Sequence, residues 1–477
     1  MITRCSLVLL ASLFLGGCSD NPTAPLPGES GRNAFEIASL PDELRQGDVI
    51  AVEVHATDAQ GAAIELVITW SLLPANAGHV TSDGRFVGYQ PGVVRIIASS
   101  DSSAGSGERA DTATVTITPR GLGGSFSVVG RGVMTAVFTS DLWLFGDHAY
   151  TGSIGTRTSN GVARRGNTMY AWRITDPANP VMTDSVIVDA TRVNDVKISA
   201  DGRLAVITHE GSSDQRGGIT ILDLADPAHP SVITRFNDPA AGLEGVHNVW
   251  IDGNFVYASS TLLCVIDISD PAAPRVVASF AGGDGFAHDT YVRDGLAFVS
   301  KWEDGLVILD VGNGIRGGSP QNPVEVSRIE LDGFTHNAWY WPEAGYVFVG
   351  REAVYDGTPP YGLMHIIDVR DLANPRRAAT YRVNGNEPHN FWLDEERGII
   401  YAAWYEQGVR AVDVRGELLG ELDRQGREIA FSVYNRSGGC AAGSGATGTC
   451  TWAPQLHRGL VWVSDMNQGI VALSPDF

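Results

Sequence analysis

The sequence predicts an all-β protein, with a small β-sandwich followed by a ring of repeated four-stranded sheets. Glycine contributes 56 of the 477 residues, about 12% against a usual ~7%, which indicates many tight turns. Apolar residues make up 43% of the chain, enough to build a sizeable core. Short alternating strands and a segment that recurs seven times complete the case for this fold class.

The charge balance excludes one class of partner. The chain carries 34 basic and 55 acidic residues, for a formal net charge of −21. Nucleic acid recognition requires an excess of basic residues, which this chain lacks. We therefore expect no nucleic acid partner.

The first 18 residues have the pattern of a secretory signal. Arg4 precedes an apolar run over residues 7–15, and Gly16, Gly17 and Cys18 follow. The apolar run is too short to span a bilayer permanently, and small residues before a cleavage point are typical of a signal peptide. Residues 15–18 resemble a bacterial lipobox, which implies that Cys18 is lipidated and becomes the mature N-terminus. The alternative is an ordinary signal peptide with a chance cysteine.

Residues 19–33 are rich in proline, glycine, serine and asparagine, which predicts a flexible tether. Ser19 directly after Cys18 resembles lipoproteins that are sorted to the outer membrane. We therefore expect a cell-envelope protein that is anchored to a lipid bilayer by N-terminal acylation, on the periplasmic or the surface face of the outer membrane.

The other cysteines agree with an oxidising compartment. Cys264 lies in an apolar run and is expected to be a small buried side chain. Cys440 and Cys450 flank a loop of small residues, and we predict a disulfide between them.

Residues 34–120 read as short alternating strands separated by turn signals such as Asp83-Gly84 and Pro91-Gly92. This spacing favours a β-sandwich of immunoglobulin type. Trp70, with the turns and the final alternating strand, makes the segment resemble the bacterial Ig-like group 2 domain, with Trp70 as the core aromatic. The resemblance implies a spacer or adhesive module.

Residues 121–477 repeat an apolar strand that ends in aspartate and is often followed by a proline-bracketed turn. The copies lie at residues 169–180, 219–230, 263–274, 306–311, 364–375, 409–414 and 470–474. A second segment precedes them, with His-Asn-x-Trp as its fullest form, at residues 140–143, 194–197, 247–250, 288–291, 336–339 and 389–392, and Trp452 occupies its place in the last unit. Seven units with four strands each predict a seven-bladed β-propeller.

These strands and Asp-Pro-x-x-Pro turns resemble the LVIVD-repeat β-propeller family over nearly all of residues 121–477. The resemblance implies the fold and an envelope location, and it implies no common activity. The aspartates at the strand ends are expected to cap turns. Gly312-x-Gly314-x-x-Gly317 has the letters of a dinucleotide fingerprint but opens no helix, so we reject a phosphate-binding role.

The candidate site lies at one mouth of the predicted channel. The His-Asn segments begin the first strand of each unit and meet the loops between the second and third strands there. The candidate ligand-binding residues are His247, His288, His336, His389, Asn194, Asp195, Trp302 and Trp404.

Two interpretations of the four histidines stay open. Imidazole suits transition metals, so His247, His288, His336 and His389 form a candidate metal site, and the sequence leaves any cofactor otherwise unknown. We favour the alternative, in which duplication copied a structural histidine whose ring hydrogen-bonds to the backbone of a neighbouring sheet. Because side chains alternate along a strand, these rings would then insert between sheets.

The leading functional hypothesis is a lipid-anchored envelope protein that presents its propeller to an extracytoplasmic protein or glycan, without an enzymatic step. A metal-dependent enzyme with a histidine-lined channel is the first alternative. A carbohydrate-binding surface module that uses Trp302 and Trp404 is the second.

Overall fold

The computed structural model describes residues 34–100, 109–159, 161–352, 362–440 and 446–477. These ranges contain β-strands, two short 3-10 helices (Pro239–Ala241 and Leu422–Arg424) and no α-helix, which confirms the all-β prediction. The predicted signal peptide with Cys18 and the predicted tether lie outside the described residues.

The N-terminal part consists of two small sheets packed around one core. Its strands are β1 Phe35–Ile37, β2 Glu43–Arg45, β3 Val49–Ala51, β4 Val54–Ala56, β5 Thr69–Leu73, β6 Gly78–Val80, β7 Arg85–Gly88, β8 Gly92–Ser100 and β9 Arg109–Thr118. One sheet has the order β2-β9-β8-β5, the other has the order β3-β7-β6, and β1 pairs with β4. Phe86 from one sheet and Ile96 and Val115 from the other are buried together, with Trp70 packed against them.

The repeat region begins at residue 125 and contributes 32 strands in the described ranges. They are β10 Ser125–Val133, β11 Phe138–Phe145, β12 His148–Ile154, β13 Thr156–Ser159, β14 Val162–Arg165, β15 Thr168–Arg173, β16 Val181–Ile187, β17 Arg192–Val193, β18 Val196–Ile198, β19 Leu204–His209, β20 Gly218–Asp223, β21 Ser231–Phe236, β22 Asn248–Asp252, β23 Phe255–Ser259, β24 Leu263–Asp267, β25 Arg275–Phe280, β26 Ala287–Arg293, β27 Leu296–Lys301, β28 Gly305–Asp310, β29 Val324–Ile329, β30 Phe334–Trp341, β31 Tyr346–Glu352, β32 Leu363–Asp368, β33 Arg376–Arg382, β34 Phe391–Asp394, β35 Ile399–Ala403, β36 Val409–Asp413, β37 Gly420–Glu421, β38 Glu428–Ser432, β39 Thr451–His457, β40 Leu460–Asp465 and β41 Gly469–Asp476.

Apart from the two-stranded hairpin β13-β14, these strands form seven successive sheets, numbered here 1 to 7 by their first strands β11, β18, β22, β26, β30, β34 and β39. Sheets 2, 3 and 4 are four consecutive antiparallel strands, for example β22-β23-β24-β25. Sheet 1 adds β17, sheet 5 adds the parallel strand β37, and sheet 6 has the order β34-β35-β36-β38. The predicted unit of four antiparallel strands therefore recurs along the chain.

Sheet 7 is completed by a strand from the beginning of the repeat region. Strand β10 pairs antiparallel with β41, from Ser125 opposite Asp476 to Val133 opposite Gly469. The sheets remain separate ladders, but each first strand contacts the next, and β39 contacts β11. The seven first strands thus follow one another in a cyclic order.

The aspartates that end the third strands cap the following turns, as predicted. The carboxylates of Asp267 and Asp413 accept hydrogen bonds from the backbone N–H groups two residues later. Asp270 makes the same bond within a proline-bracketed turn. These side chains are therefore turn-forming groups.

The loop that carries Gly312, Gly314 and Gly317 folds around the protein's own carboxylate. Asp310 accepts hydrogen bonds from the backbone N–H groups of Gly312, Gly314, Arg316 and Gly318. Burial acts to raise the pKa of Asp310, but these four N–H donors hold it far below its usual value. The N–H groups that a phosphate would need are therefore occupied, in agreement with our rejection of that role.

The N-terminal part docks on sheet 6 through buried charges. Arg120 is 6% exposed and donates to the carboxylates of Asp413 and Asp48. Arg427, also buried, donates to the Gly47 carbonyl oxygen at 2.6 Å. Because a buried guanidinium needs its acceptors, these contacts fix how the two parts sit on each other.

We predict that Arg120→Ala lowers the free energy of unfolding by about 3 kcal/mol, because it leaves the buried Asp413 carboxylate with one cation fewer. Urea denaturation of the full chain measures this loss. Arg45→Ala is the matched control, since Arg45 pairs with the same Asp48 in an exposed ion pair and should cost no more than about 1 kcal/mol. Equal losses for the two variants would contradict a buried inter-domain contact.

Candidate functional site

A cavity of about 620 Å³ lies at the mouth of the ring of first strands. All four candidate histidines line it, together with Asn194, Trp302 and three glutamates, Glu210, Glu352 and Glu387. The ring centroids of His247, His288, His336 and His389 are 4.4, 4.3 and 4.2 Å apart in chain order. Residues from sheets 2 to 6 therefore meet at one opening.

β-Bulges lie beside two of these histidines, His288 and His336. The pairing register shifts between Ala287 and Asp289 in sheet 4 and between Thr335 and Ala338 in sheet 5. A bulge breaks the strict alternation of side chains, so histidine and the following residue both face the axis. All four histidines border the axial cavity, and the bulges depart from the simple alternation on which the expected insertion between sheets was based.

Two of the rings are held by the backbone of the next sheet. Nδ1 of His288 lies 2.7 Å from the His336 carbonyl oxygen, and Nδ1 of His389 lies 2.8 Å from the Trp452 carbonyl oxygen. A carbonyl only accepts, so each Nδ1 carries the proton and each Nε2 keeps a lone pair. These are the contacts that the structural interpretation expects, and they leave Nε2 available as a ligand atom.

His288, His336 and His389 are neutral at pH 7. Burial lowers the pKa of His288, His336 and His389, and the neighbouring imidazoles add to the effect at His288 and His389. An unprotonated imidazole nitrogen is the form that binds metals and accepts hydrogen bonds.

His247 is placed differently, because both of its ring nitrogens have partners. Its Nδ1 lies 2.8 Å from Glu210 Oε1, and its Nε2 lies 3.2 Å from the Asn194 side-chain amide. Burial acts to raise the pKa of Glu210, but the hydrogen bond to His247 lowers it below its usual value. This pair is a carboxylate that orients an imidazole.

His336 faces a carboxylate that our sequence analysis did not single out. Its Nε2 lies 3.7 Å from Glu352 Oε2, too far for a hydrogen bond. The Tyr405 hydroxyl donates to the other oxygen of Glu352 at 2.7 Å. Among the His, Cys, Asp and Glu side chains of the described ranges, His288, His336 and Glu352 form a potential metal-binding group. One ligand atom from each lies within 4.8 Å of the other two.

The other predicted site residues are divided between the cavity and the interior. Trp302 lines the cavity, but its ring stacks on His288 and on Phe334. Trp404 is fully buried and donates from its indole N–H to the Asn386 carbonyl oxygen. The assignment of Trp404 to a ligand site is wrong. Trp404 directly follows β35, where the sequence suggested an exposed loop, but its side chain lies in the core.

Asp195 is also a buried structural group and does not line the cavity. It is fully buried, pairs with the Lys197 ammonium and accepts the Val249 N–H at 2.9 Å. Lys197 reaches Asp141 as well, at 2.7 Å. The prediction that Asp195 contacts a ligand is therefore wrong.

Five aromatic side chains surround the axis beneath the polar groups. Successive centroids in the set Trp143, Trp250, Tyr291, Trp339 and Trp392 lie 4.6 to 5.8 Å apart. These side chains come from five sheets, so they pack those sheets against one another around the axis.

The predicted disulfide is present in the cavity wall. Cys440 and Cys450 are bonded, with a Cα–Cα distance of 5.0 Å, and both line the cavity. Cys264 is free and buried, as expected.

Comparison with known proteins supports the repeat assignment for part of the chain. The LVIVD repeat model matches residues 213–238, 245–281 and 284–329, which correspond to the second half of sheet 2 and to sheets 3 and 4. No curated protein matches the sequence. No helix in the described ranges is both long and apolar enough to cross a membrane.

Two further histidines are buried away from the cavity. His209 contacts the Thr220 hydroxyl at 2.8 Å, and the ring nitrogens of His365 have no hydrogen-bond partner among the described residues. Burial lowers the pKa of each to about 4. Both are therefore uncharged in the folded protein at pH 7.

We predict that His365 makes the protein less stable in acid. The unfolded chain binds a proton near pH 6.5, whereas the folded chain does so only at about pH 4, so stability falls as the pH drops through this window. At about pH 5 the loss through His365 should be about 2 kcal/mol. His365→Leu should remove this part of the pH dependence in urea denaturation at about pH 7 and about pH 5. An unchanged difference between the two pH values would refute the assignment.

Proposed function

We propose that this protein is a lipid-anchored cell-envelope protein in which an Ig-like domain carries a seven-bladed β-propeller, and that the propeller binds a ligand in its axial cavity. The observation that carries the proposal is the cyclic order of seven first strands, together with the cavity that they surround. A propeller closed in this way brings distant parts of the chain to one axial site.

The position of the N-terminal part supports this arrangement. Tyr405 lines the cavity, and β36 leads from that loop to Asp413, where Arg120 docks. Five strand residues span about 16 Å. The N-terminal part thus lies at the end of sheet 6 that is opposite to the cavity. A protein anchored through Cys18 would therefore present the cavity away from its anchor.

The cavity favours a small ligand over a glycan that stacks on tryptophan. Trp404 is buried, and Trp302 already stacks on two rings. The cavity wall instead combines four imidazoles, three carboxylates and two amides. This composition suits a compact polar ligand or a metal ion.

The anchor is tested by Cys18→Ser. We expect the wild-type protein to incorporate labelled palmitate and to sediment with membranes, and we expect the variant to lose both properties. Cys5→Ser is the matched control, because Cys5 lies in the part of the signal that would be removed. Membrane retention and acylation of Cys18→Ser would show that the anchor is misassigned.

The cavity is tested by filling its rim. Thr261 is exposed and lines the cavity, so a tryptophan there should block the entrance. We expect native mass spectrometry to find a bound small molecule on wild-type protein purified from its own membranes, and we predict that Thr261→Trp lacks it. Ala273→Trp, in an exposed turn at the opposite end of sheet 3, should retain it. Equal occupancy in both variants, or a wild-type protein without any bound molecule, would count against a ligand in the cavity.

A further inference from the structure

We propose that His288, His336 and Glu352 bind a divalent transition-metal ion at the wall of the axial cavity. The inference rests on the proposed function in one respect, since it takes the cavity to be the binding site. It adds the class of ligand and the residues that hold it. Two imidazole nitrogens and one carboxylate oxygen form the donor set of many zinc and non-haem iron(II) sites, which leave positions open for a further ligand.

The distances fit a site that closes slightly around the ion. All three ligand atoms lie within 4.8 Å of one another. Metal–ligand bonds of about 2.1 Å place two ligands of one ion at most about 4.2 Å apart. The separation of 3.7 Å between His336 Nε2 and Glu352 Oε2 is too long for a hydrogen bond and suits two ligands of one metal.

Surrounding hydrogen bonds orient two of the three ligands. Nδ1 of His288 is held by the His336 carbonyl oxygen, which directs Nε2 away from the backbone. Tyr405 donates to Oε1 of Glu352 and leaves Oε2 for the ion. Bonds of this kind to the far side of a ligand fix its orientation in metal sites.

Duplication of a structural histidine does not account for Glu352. The backbone contact of Nδ1 explains why histidines recur at this position, but the carboxylate at the end of β31 has no counterpart in sheets 4 and 6. The corresponding strands there end at Lys301 and Ala403. Glu210 in sheet 2 follows β19, but it is already bonded to His247.

The structure therefore changes the four-histidine hypothesis. His247 is not a ligand, because Glu210 and Asn194 occupy its two nitrogens. His389 lies beside the site, with its ring centroid 4.2 Å from that of His336 and its Nδ1 at the Trp452 carbonyl oxygen. It stands where it can contact a molecule that binds to the open positions of the metal.

Titration of the full-length protein, without a histidine tag and after treatment with a chelator, tests the proposal. We expect one equivalent of Zn²⁺ by calorimetry, and one equivalent of Co²⁺ with visible d–d absorption from mixed nitrogen and oxygen ligands. His336→Gln and Glu352→Gln should weaken binding at least about 100-fold, and Tyr405→Phe about 10- to 100-fold.

His209→Gln is the matched control, because it removes a buried histidine outside the cavity and should leave the affinity unchanged. Glu352 is partly exposed, so Glu352→Gln should stay folded even if a histidine variant does not. A wild-type protein that binds no metal, or a folded Glu352→Gln that binds as tightly as wild type, would overturn the proposal. Neither result depends on acylation or on a cavity ligand, so a failure here leaves the tests of the proposed function to be judged separately.

Discussion

The pairing of β10 with β41 is the contact on which the rest of the repeat region depends. It joins residues that are more than 300 positions apart in the chain, because Ser125 lies opposite Asp476. Without β10, sheet 7 would have only three strands and would expose the edge of β41. The contact between β39 and β11 would then be made by an incomplete sheet. The cavity has walls from both ends of the repeat region, Ile154 near one and Trp452 near the other, and the pairing of β10 with β41 joins these two ends.

The cavity also depends on a buried charge network below it. Lys197 lies on the axis between Asp141 and Asp195. Burial opposes the charged ammonium, but the two carboxylates raise the pKa of Lys197 above its usual value. The protein thus supplies its own cation beneath the histidines, and the Lys197 ammonium also lies over the ring of Trp143.

Much of this arrangement follows from the sequence, because repeated residues occupy equivalent places in each sheet. The positions of His247, His288, His336 and His389, and the capping role of Asp267 and Asp413, could be predicted in this way. The β-bulges could not, since they depend on pairing register, and the burial of Trp404 could not, since its place after β35 resembles a loop. Strand β10 carries no repeat motif, and its partner is distant in the chain, so its role appears only in three dimensions.

Glu352 shows why the functional part of such a protein is the hardest to predict. A repeat motif records what every sheet needs for folding, and a ligand site needs residues that differ between sheets. Glu210 and Glu352 follow the same second-strand position in sheets 2 and 5, yet their surroundings differ: Glu210 accepts from His247, and Glu352 accepts from Tyr405 and faces His336. The chemistry of the cavity therefore depends on residues that differ between the sheets. A repeat motif does not include such residues, so it cannot predict them.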